Sequence, residues 1–295
     1  MTRRPTSPPF LLVNPRSGDA VPSAVELATA ARRLGIETRE LRPGEDPSEL
    51  AAAAADRGAE VLGVAGGDGT LSAVAAAAIA RDLPFVPIPF GTRNHFARDV
   101  GFDRDDVIGA LGAFEGRERR VDVGTVSGRL FLNNVSLGLY ASMVHAEKHD
   151  RMTRAGALVR ILPAALGRVR QPLELAFDLS GRRERRQVLM LVVANNDYGI
   201  GSLTDLTERE RLDEGLLHAY VIEAVGRARL VELLTRAAAD RLEAAEGWAE
   251  WIAPTFRVDS RRERVKAALD GEPIVLHPPL DFEIKPGALR VLVPA

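Results

Sequence analysis

The sequence predicts an α/β fold in two parts: an N-terminal domain built on a parallel sheet, and a C-terminal domain of mostly antiparallel β structure. Three observations carry this. Up to about Val121, short apolar runs alternate with helical patterns, the reading of successive right-handed βαβ units. Beyond Val121, strand-like segments follow one another with polar turn clusters between them, as hairpins do. The length of 295 residues, 46% hydrophobic and 27% charged, suffices for one large or two medium domains with their own cores.

Taken in order, "FLLV" (Phe10–Val13) reads as the first strand and Ser23 to Leu34 as a helix stopped by Gly35. "IETREL" is a weaker strand. "PSELAAAAADRG" is a helix that Ser48 or Asp46 could cap and Gly58 could end. "EVLGVA" is a strand, "LSAVAAAAIA" a helix and "FVPIPF" a further strand. The expected first domain is therefore Rossmann-like, residues 1–125, with ligands at the carboxyl ends of its strands. In the second half, "RRVDVGTV", "LFLNNV", "LELAFDL", "RQVLMLVVA", "GLLHAYVIE", "TFRVDS" and "RVKAALDGEPIVL" are strand-like, and both "SGR" clusters suit hairpins. These make an expected β-rich, sandwich-like domain over residues 126–278. A helix from Ala228 to Glu246 interrupts it, with Leu230, Leu233 and Leu234 on one face.

Composition excludes several functions. The absence of cysteine rules out disulfides, thiolate metal sites and thiol nucleophiles. A net charge of −2 provides no global basic field, so no nucleic-acid partner is expected. No apolar run approaches the roughly 20 residues of a membrane span, and the apolar run at the N-terminus is too short for a signal segment. The expected location is cytoplasmic, with peripheral contact to a membrane surface.

Four loops carry the chemistry. "NPRSG" (Asn14–Gly18) follows the first strand, where its asparagine, serine and glycine suit either a phosphate or an Asx-type turn. "GGDGT" (Gly66–Thr70) sets glycines on both sides of Asp68, which suits close approach of a nucleotide and its Mg²⁺. A tight turn that needs glycine only to reverse the chain is the alternative. "PFGTRNHFARD" (Pro89–Asp99) adds Thr92 and Asn94 at another strand end. "LDGEP" (Leu269–Pro273) places Asp270 and Glu272 around a glycine, and alone reads as a hairpin turn. No G-x-x-x-x-G-K-[ST] is present, and no H-R-D or D-F-G set, which removes the P-loop and protein-kinase readings.

Together with "NNVSLGLYA", "ANNDYGIG" and "LDEGLL", in this order, these loops resemble the diacylglycerol kinase catalytic family, the soluble bacterial lipid kinases related to sphingosine and ceramide kinases. "GGDGT" by itself is shared with NAD kinases. The resemblance implies transfer of the γ-phosphoryl group of ATP, with Mg²⁺, to a lipid hydroxyl, diacylglycerol being the default acceptor. It implies an ATP cleft between the two domains, and a closing segment, residues 279–295, that returns to the first. It assigns Asn14, Ser17, Gly18, Gly66, Gly67, Asp68, Gly69, Thr70, Thr92 and Asn94 to the nucleotide. Asp270 becomes the general base, and Glu272 joins the nucleotide or metal shell. Such a transfer needs positioning and charge neutralisation more than covalent chemistry.

Four positions depart from the family pattern. His95 stands where G-T-x-N-D has its aspartate, Asp19 where a lysine often follows "NPxSG", and Leu41 where a threonine is usual. In "LDEGLL", where the family has paired aspartates, Glu214 fills the second position beside Asp213, and these two are the expected structural Mg²⁺ ligands. On the lipid side, Arg151 to Pro172 carries five arginines and no acid among leucine, valine and isoleucine. That composition suits an anionic lipid surface or an ordinary amphipathic helix with a solvated face, and Pro163 would kink it. Three other functions stay open: a kinase of another lipid or polyol alcohol, an NAD kinase-like enzyme, and a nucleotide- or lipid-binding regulator with weakened turnover. Oligomeric state, a homodimer included, is not legible.

Overall fold

The computed structural model describes residues 8–17, 22–91, 94–138, 141, 172–179, 182–198, 209–224 and 247–294. The expected helix at 228–246 and the arginine-rich stretch at 151–170 lie outside these residues, as do Gly18 and Thr92. The chain forms two compact units, residues 1–123 with 286–295, and residues 124–285.

In the first unit β1 (Phe10–Val13), α1 (Ala24–Arg33), β2 (Glu37–Glu40), α2 (Pro47–Asp56), β3 (Leu62–Gly66), α3 (Asp68–Ala80) and β4 (Phe85–Pro89) alternate as expected. The strands lie in the order β2-β1-β3-β4 and are all parallel, with Phe10 beside Glu37 and Leu62, and Leu62 beside Phe85. β1, β3 and β4 are buried throughout, as a parallel sheet covered on both faces requires. β2 reads Glu-Thr-Arg-Glu and is largely exposed, a short charged edge that discourages further pairing.

Local chemistry starts each helix. Ser23 and Glu26 form a reciprocal capping box on α1. Asp46, rather than Ser48, caps α2, accepting from the Ser48 N–H at 2.7 Å with Pro47 in the first turn. α3 begins at Asp68, three residues before the apolar pattern that suggested it. A short α4 (His95–Asp99) and a 3₁₀ helix (Gly109–Glu115) follow, neither marked by periodicity. Gly63 in β3 leaves space for the end of the Phe114 ring, which a Cβ there would strike.

The second unit is antiparallel. Its strands are the end of β5 (Arg117–Val126), then β6 (Arg129–Phe131), β7 (Asn134–Gly138), β8 (Leu173–Leu179), β9 (Arg182–Asn195), β10 (Leu217–Glu223), β11 (Trp248–Ala253), β12 (Thr255–Ser260), β13 (Val265–Leu269), β14 (Glu272–Leu276) and the start of β15 (Leu280–Val293). β9 forks the sheet. One edge pairs with β8 and then β7, while its second half also pairs with β10, which carries β11. Phe131, Phe177, Val193, Leu217, Val221, Phe256 and Phe282 pack in the core between these strands. The expected "SGR" hairpin joins β5 to β6, with Ser127 and Gly128 both at positive φ and Val126 opposite Arg129. The α/β plus β-rich architecture is as the sequence predicts.

The last residues of β15 belong to the first unit, where Val291 runs parallel beside Phe85 of β4. Arg290 grips Glu118 of β5 through two hydrogen bonds of 2.9 and 2.7 Å and also donates to the Asp82 carbonyl. That pairing holds the Glu118 carboxyl below its ordinary value, the Arg290 hydrogen bonds being the main cause.

Candidate active site

In the first unit the chain steps from β1 outward to β2, then crosses back over β1 to β3. This reversal leaves a crevice at the carboxyl ends of β1 and β3, the usual ligand position in such sheets. Two of the expected loops occupy those ends. Asn14 ties them together: its N–H donates to the Ala65 carbonyl at 2.8 Å, and its amide Nδ2 donates to Thr70 Oγ1 at 3.0 Å. Its Oδ1 accepts from the Arg16 N–H, so the Asx-type turn considered for "NPRSG" is present.

The third loop is wedged against the second. A Cβ on Gly91 would stand 2.8 Å from the Gly67 Cα and 3.1 Å from the Gly66 carbonyl oxygen. Fully buried Asn94 braces this turn, accepting from the Gly91 N–H and donating to its carbonyl. It holds the left-handed conformation, φ 52°, that asparagine tolerates better than most residues. Its amide is therefore engaged with Gly91, and His95 opens α4 directly after it.

Gly67 is different. It is the N-cap of α3, at φ −83°, a conformation open to any residue. Among the described residues a Cβ there would meet only Ser17 Oγ, at 3.9 Å. Neither backbone strain nor packing among the described residues explains glycine at this point. What remains is the start of a thirteen-residue helix, with Asp68 in its first turn and Ser17 nearby. Helix starts of this kind attract anions, and a missing side chain lets one approach the main chain.

In the second unit Asp270 and Gly271 form the hairpin turn between β13 and β14, both at positive φ. The Asp270 carboxylate is buried and accepts three backbone N–H groups, from Leu132 at 2.8 Å, Asn133 at 2.7 Å and Asn134 at 3.1 Å. Its own N–H donates to the Asn134 carbonyl. Glu272, two residues on, is exposed at the start of β14. The carbonyl side of the same segment is held by Arg209, which is buried although charged. Arg209 donates to the Leu132 and Asn195 carbonyls and to Asn133 Oδ1, and lies over the Tyr198 ring. Asn195 Nδ2 donates to Leu132 as well. Sequence reasoning passed over Arg209, Asn133 and Asn195; the paired asparagines in "LNNV" and "ANND" at strand ends were the available signal.

The two acids expected to share a Mg²⁺ turn to different partners. Asp213 is paired with Arg211 at 3.2 Å, while Glu214 accepts from the Asp197 N–H at 3.2 Å and lies 3.5 Å from His218 Nε2. His218, Asp197 and Glu250 form a separate cluster, and Tyr220 donates to Asp197 Oδ1 at 2.7 Å. Burial, and then this bond to Asp197, push the Tyr220 hydroxyl well above its ordinary value.

Comparison with known proteins covers both units. Residues 8–126 match the model of the diacylglycerol kinase catalytic domain, and residues 133–293 that of the YegS C-terminal NAD kinase beta sandwich-like domain. A Pseudomonas aeruginosa protein named "Probable lipid kinase YegS-like" is 30% identical, over 92% of this chain and 90% of its own. A Bacillus subtilis diacylglycerol kinase is 25% identical, over 65% of this chain and 64% of its own. The crystal structure of a diacylglycerol kinase from Bacillus anthracis aligns with a TM-score of 0.69 over 97% of this chain and 96% of that one. At 16% identity, this last likeness concerns the fold alone.

Proposed function

Because the chain belongs to the diacylglycerol kinase-like family of lipid kinases, we propose that it transfers the γ-phosphoryl group of ATP to a lipid hydroxyl, with diacylglycerol as acceptor and phosphatidic acid as product. The observation that carries the nucleotide part is Gly67: a glycine required neither by its backbone nor by packing among the described residues, at a helix start where the loops after β1, β3 and β4 converge.

In this reading the loops of Asn14–Gly18, Gly66–Thr70 and Thr92–Asn94 hold the nucleotide. Asn14 and Asn94 act as braces that fix the loops, and Ser17, Gly67 and the first turn of α3 face the phosphates. Asp68, a carboxylate at that helix start, and exposed Glu272 are of the hard oxygen type that Mg²⁺ takes. Mg²⁺ supplies neutralisation of phosphate charge when bound. Asp270 takes the proton of the attacking hydroxyl, its orientation fixed by the N–H groups of Leu132 to Asn134. Among the described residues no helix is long and apolar enough to cross a membrane. The lipid is reached from the surface through the arginines between Arg151 and Arg170.

The test is incubation of the protein with γ-labelled ATP, Mg²⁺ and vesicles carrying a panel of lipid alcohols. Label is expected in diacylglycerol. Asp270→Asn should lower turnover by about 10²–10⁴-fold while ATP binding persists. ATP binding without label in any acceptor would refute the kinase reading. Label confined to another alcohol would move the acceptor and keep the chemistry.

A further inference from the structure

We propose that His218, Asp197 and Glu250 form a binding site for a divalent transition cation of the Zn²⁺ type, on the second unit. The three side chains come from different strands or strand ends: His218 from β10, Glu250 from β11 and Asp197 just beyond β9. Antiparallel pairing sets Glu250 opposite Tyr220, two residues along the same face from His218. One ligand atom from each residue lies within 4.8 Å of the other two. His218 Nδ1 is 2.9 Å from Glu250 Oε1 and 3.8 Å from Asp197 Oδ1. Those two separations bracket the spacing of about 3.3 Å between ligands on a tetrahedral ion bound at about 2.0 Å.

Two independent features favour a cation there. The first is charge. Glu214, Glu250 and Asp197 surround one imidazole, and among the described residues no arginine or lysine forms an ion pair with Glu214 or Glu250. A bound divalent ion offsets the charges of Glu214 and Glu250 more fully than a protonated histidine does. The second is the imidazole itself. Its side chain is only 7% exposed, and Nε2 is buried without a hydrogen-bond partner, its nearest acid being Glu214 Oε2 at 3.5 Å. With a cation on Nδ1, Nε2 carries the proton and faces Glu214. This is the carboxylate–histidine–metal arrangement that fixes tautomer and ring orientation. Tyr220 orients the second ligand through its 2.7 Å bond to Asp197 Oδ1.

Chemistry selects the ion. An imidazole with two carboxylates suits Zn²⁺, Co²⁺ or Mn²⁺, whereas Mg²⁺ prefers oxygen ligands alone. Asp197 and Glu250 keep 47% and 35% of their side-chain surface exposed, which gives the ion a route in and leaves room for water as a further ligand. The site stands independently of the kinase reading: its three ligands are not among the acids expected to bind Mg²⁺, and Glu214, which is, serves here only as the outer partner of His218.

The experiment uses full-length protein, stripped with chelator and free of nucleotide, titrated with Zn²⁺ or with Co²⁺. One equivalent of Zn²⁺ should bind. Co²⁺ should develop visible absorption and quench the fluorescence of Trp248, which stacks on Tyr220. Glu250→Gln, at a part-exposed position where folding is not at stake, should weaken binding at least tenfold. His218→Gln should abolish it, and Glu214→Gln, which alters only the outer partner, should weaken it about tenfold. Absence of stoichiometric Zn²⁺ binding, or unchanged affinity in Glu250→Gln, would overturn the site.

Discussion

Gly67 and Gly91 touch each other, yet glycine is needed at the two positions for opposite reasons. At Gly91 an added methyl would collide with the Gly67 backbone and with Asn94 Oδ1, both 2.8 Å away. Gly91→Ala should therefore force the loops apart, costing about 1–3 kcal/mol of stability along with nucleotide affinity. At Gly67 the methyl has room among the described residues, so Gly67→Ala should leave stability within about 1 kcal/mol and weaken ATP binding alone. Thermal denaturation beside a nucleotide titration separates the two cases. Normal ATP affinity in Gly67→Ala would remove the phosphate from this glycine. Tyr220 supports a prediction of pH dependence. Its folded-state value is raised, first by burial and then by Asp197, so the unfolded chain releases the phenolic proton before the folded one does. The contribution is complete below the unfolded value of about 10 and falls as pH rises beyond it. Stability should decline above about pH 10, and Tyr220→Phe should flatten that decline in alkaline urea denaturation.

At the scale of elements, the turn between β13 and β14 and the segment Leu132–Asn134 between β6 and β7 depend on each other. Asp270 saturates the N–H side of the segment, and Arg209 with Asn195 the carbonyl side. Arg209→Met leaves buried acceptors without their charged donor, and each such group costs about 1–3 kcal/mol. A loss of at least about 2 kcal/mol in urea denaturation is expected, with turnover falling because Asp270 loses its fixed orientation. This interdependence marks the limit of what the sequence reveals. The cap on α2, the Asp270–Gly271 turn and the Ser127–Gly128 turn were legible because each is decided within four residues. Arg209 lies in the charged run "RERLDE", which reads as solvated surface. Its burial depends on carbonyls 77 and 14 residues away in sequence. The cluster of His218, Asp197 and Glu250 is invisible for the same reason. No local pattern announces that separate strands will bring an imidazole to two carboxylates. α4 is held by the Asn94 brace rather than by any apolar periodicity of its own, so nothing in its composition marked it.

For the whole molecule, the discontinuity of the first unit is decisive. Residues 1–123 lack the strand beside β4 that residues 286–295 provide, and they lack Arg290, which clasps Glu118 and the Asp82 carbonyl. A fragment of residues 8–123 should be poorly folded. The same fragment joined to residues 286–295 by a flexible linker should regain a cooperative thermal transition, read by far-UV circular dichroism. Equal stability of the two fragments would show that the last strand is dispensable.

That arrangement also fixes a sequence of events in time. Chains emerge from the ribosome N-terminus first, and domains fold as units during synthesis. Everything that builds the second unit has been translated by Lys285, whereas the first unit, begun at the start, waits for Pro286 and the residues after it. The part made first is completed last. Until then β4 presents an open edge inside the cell, at the stage when unpaired strands are most prone to aggregate.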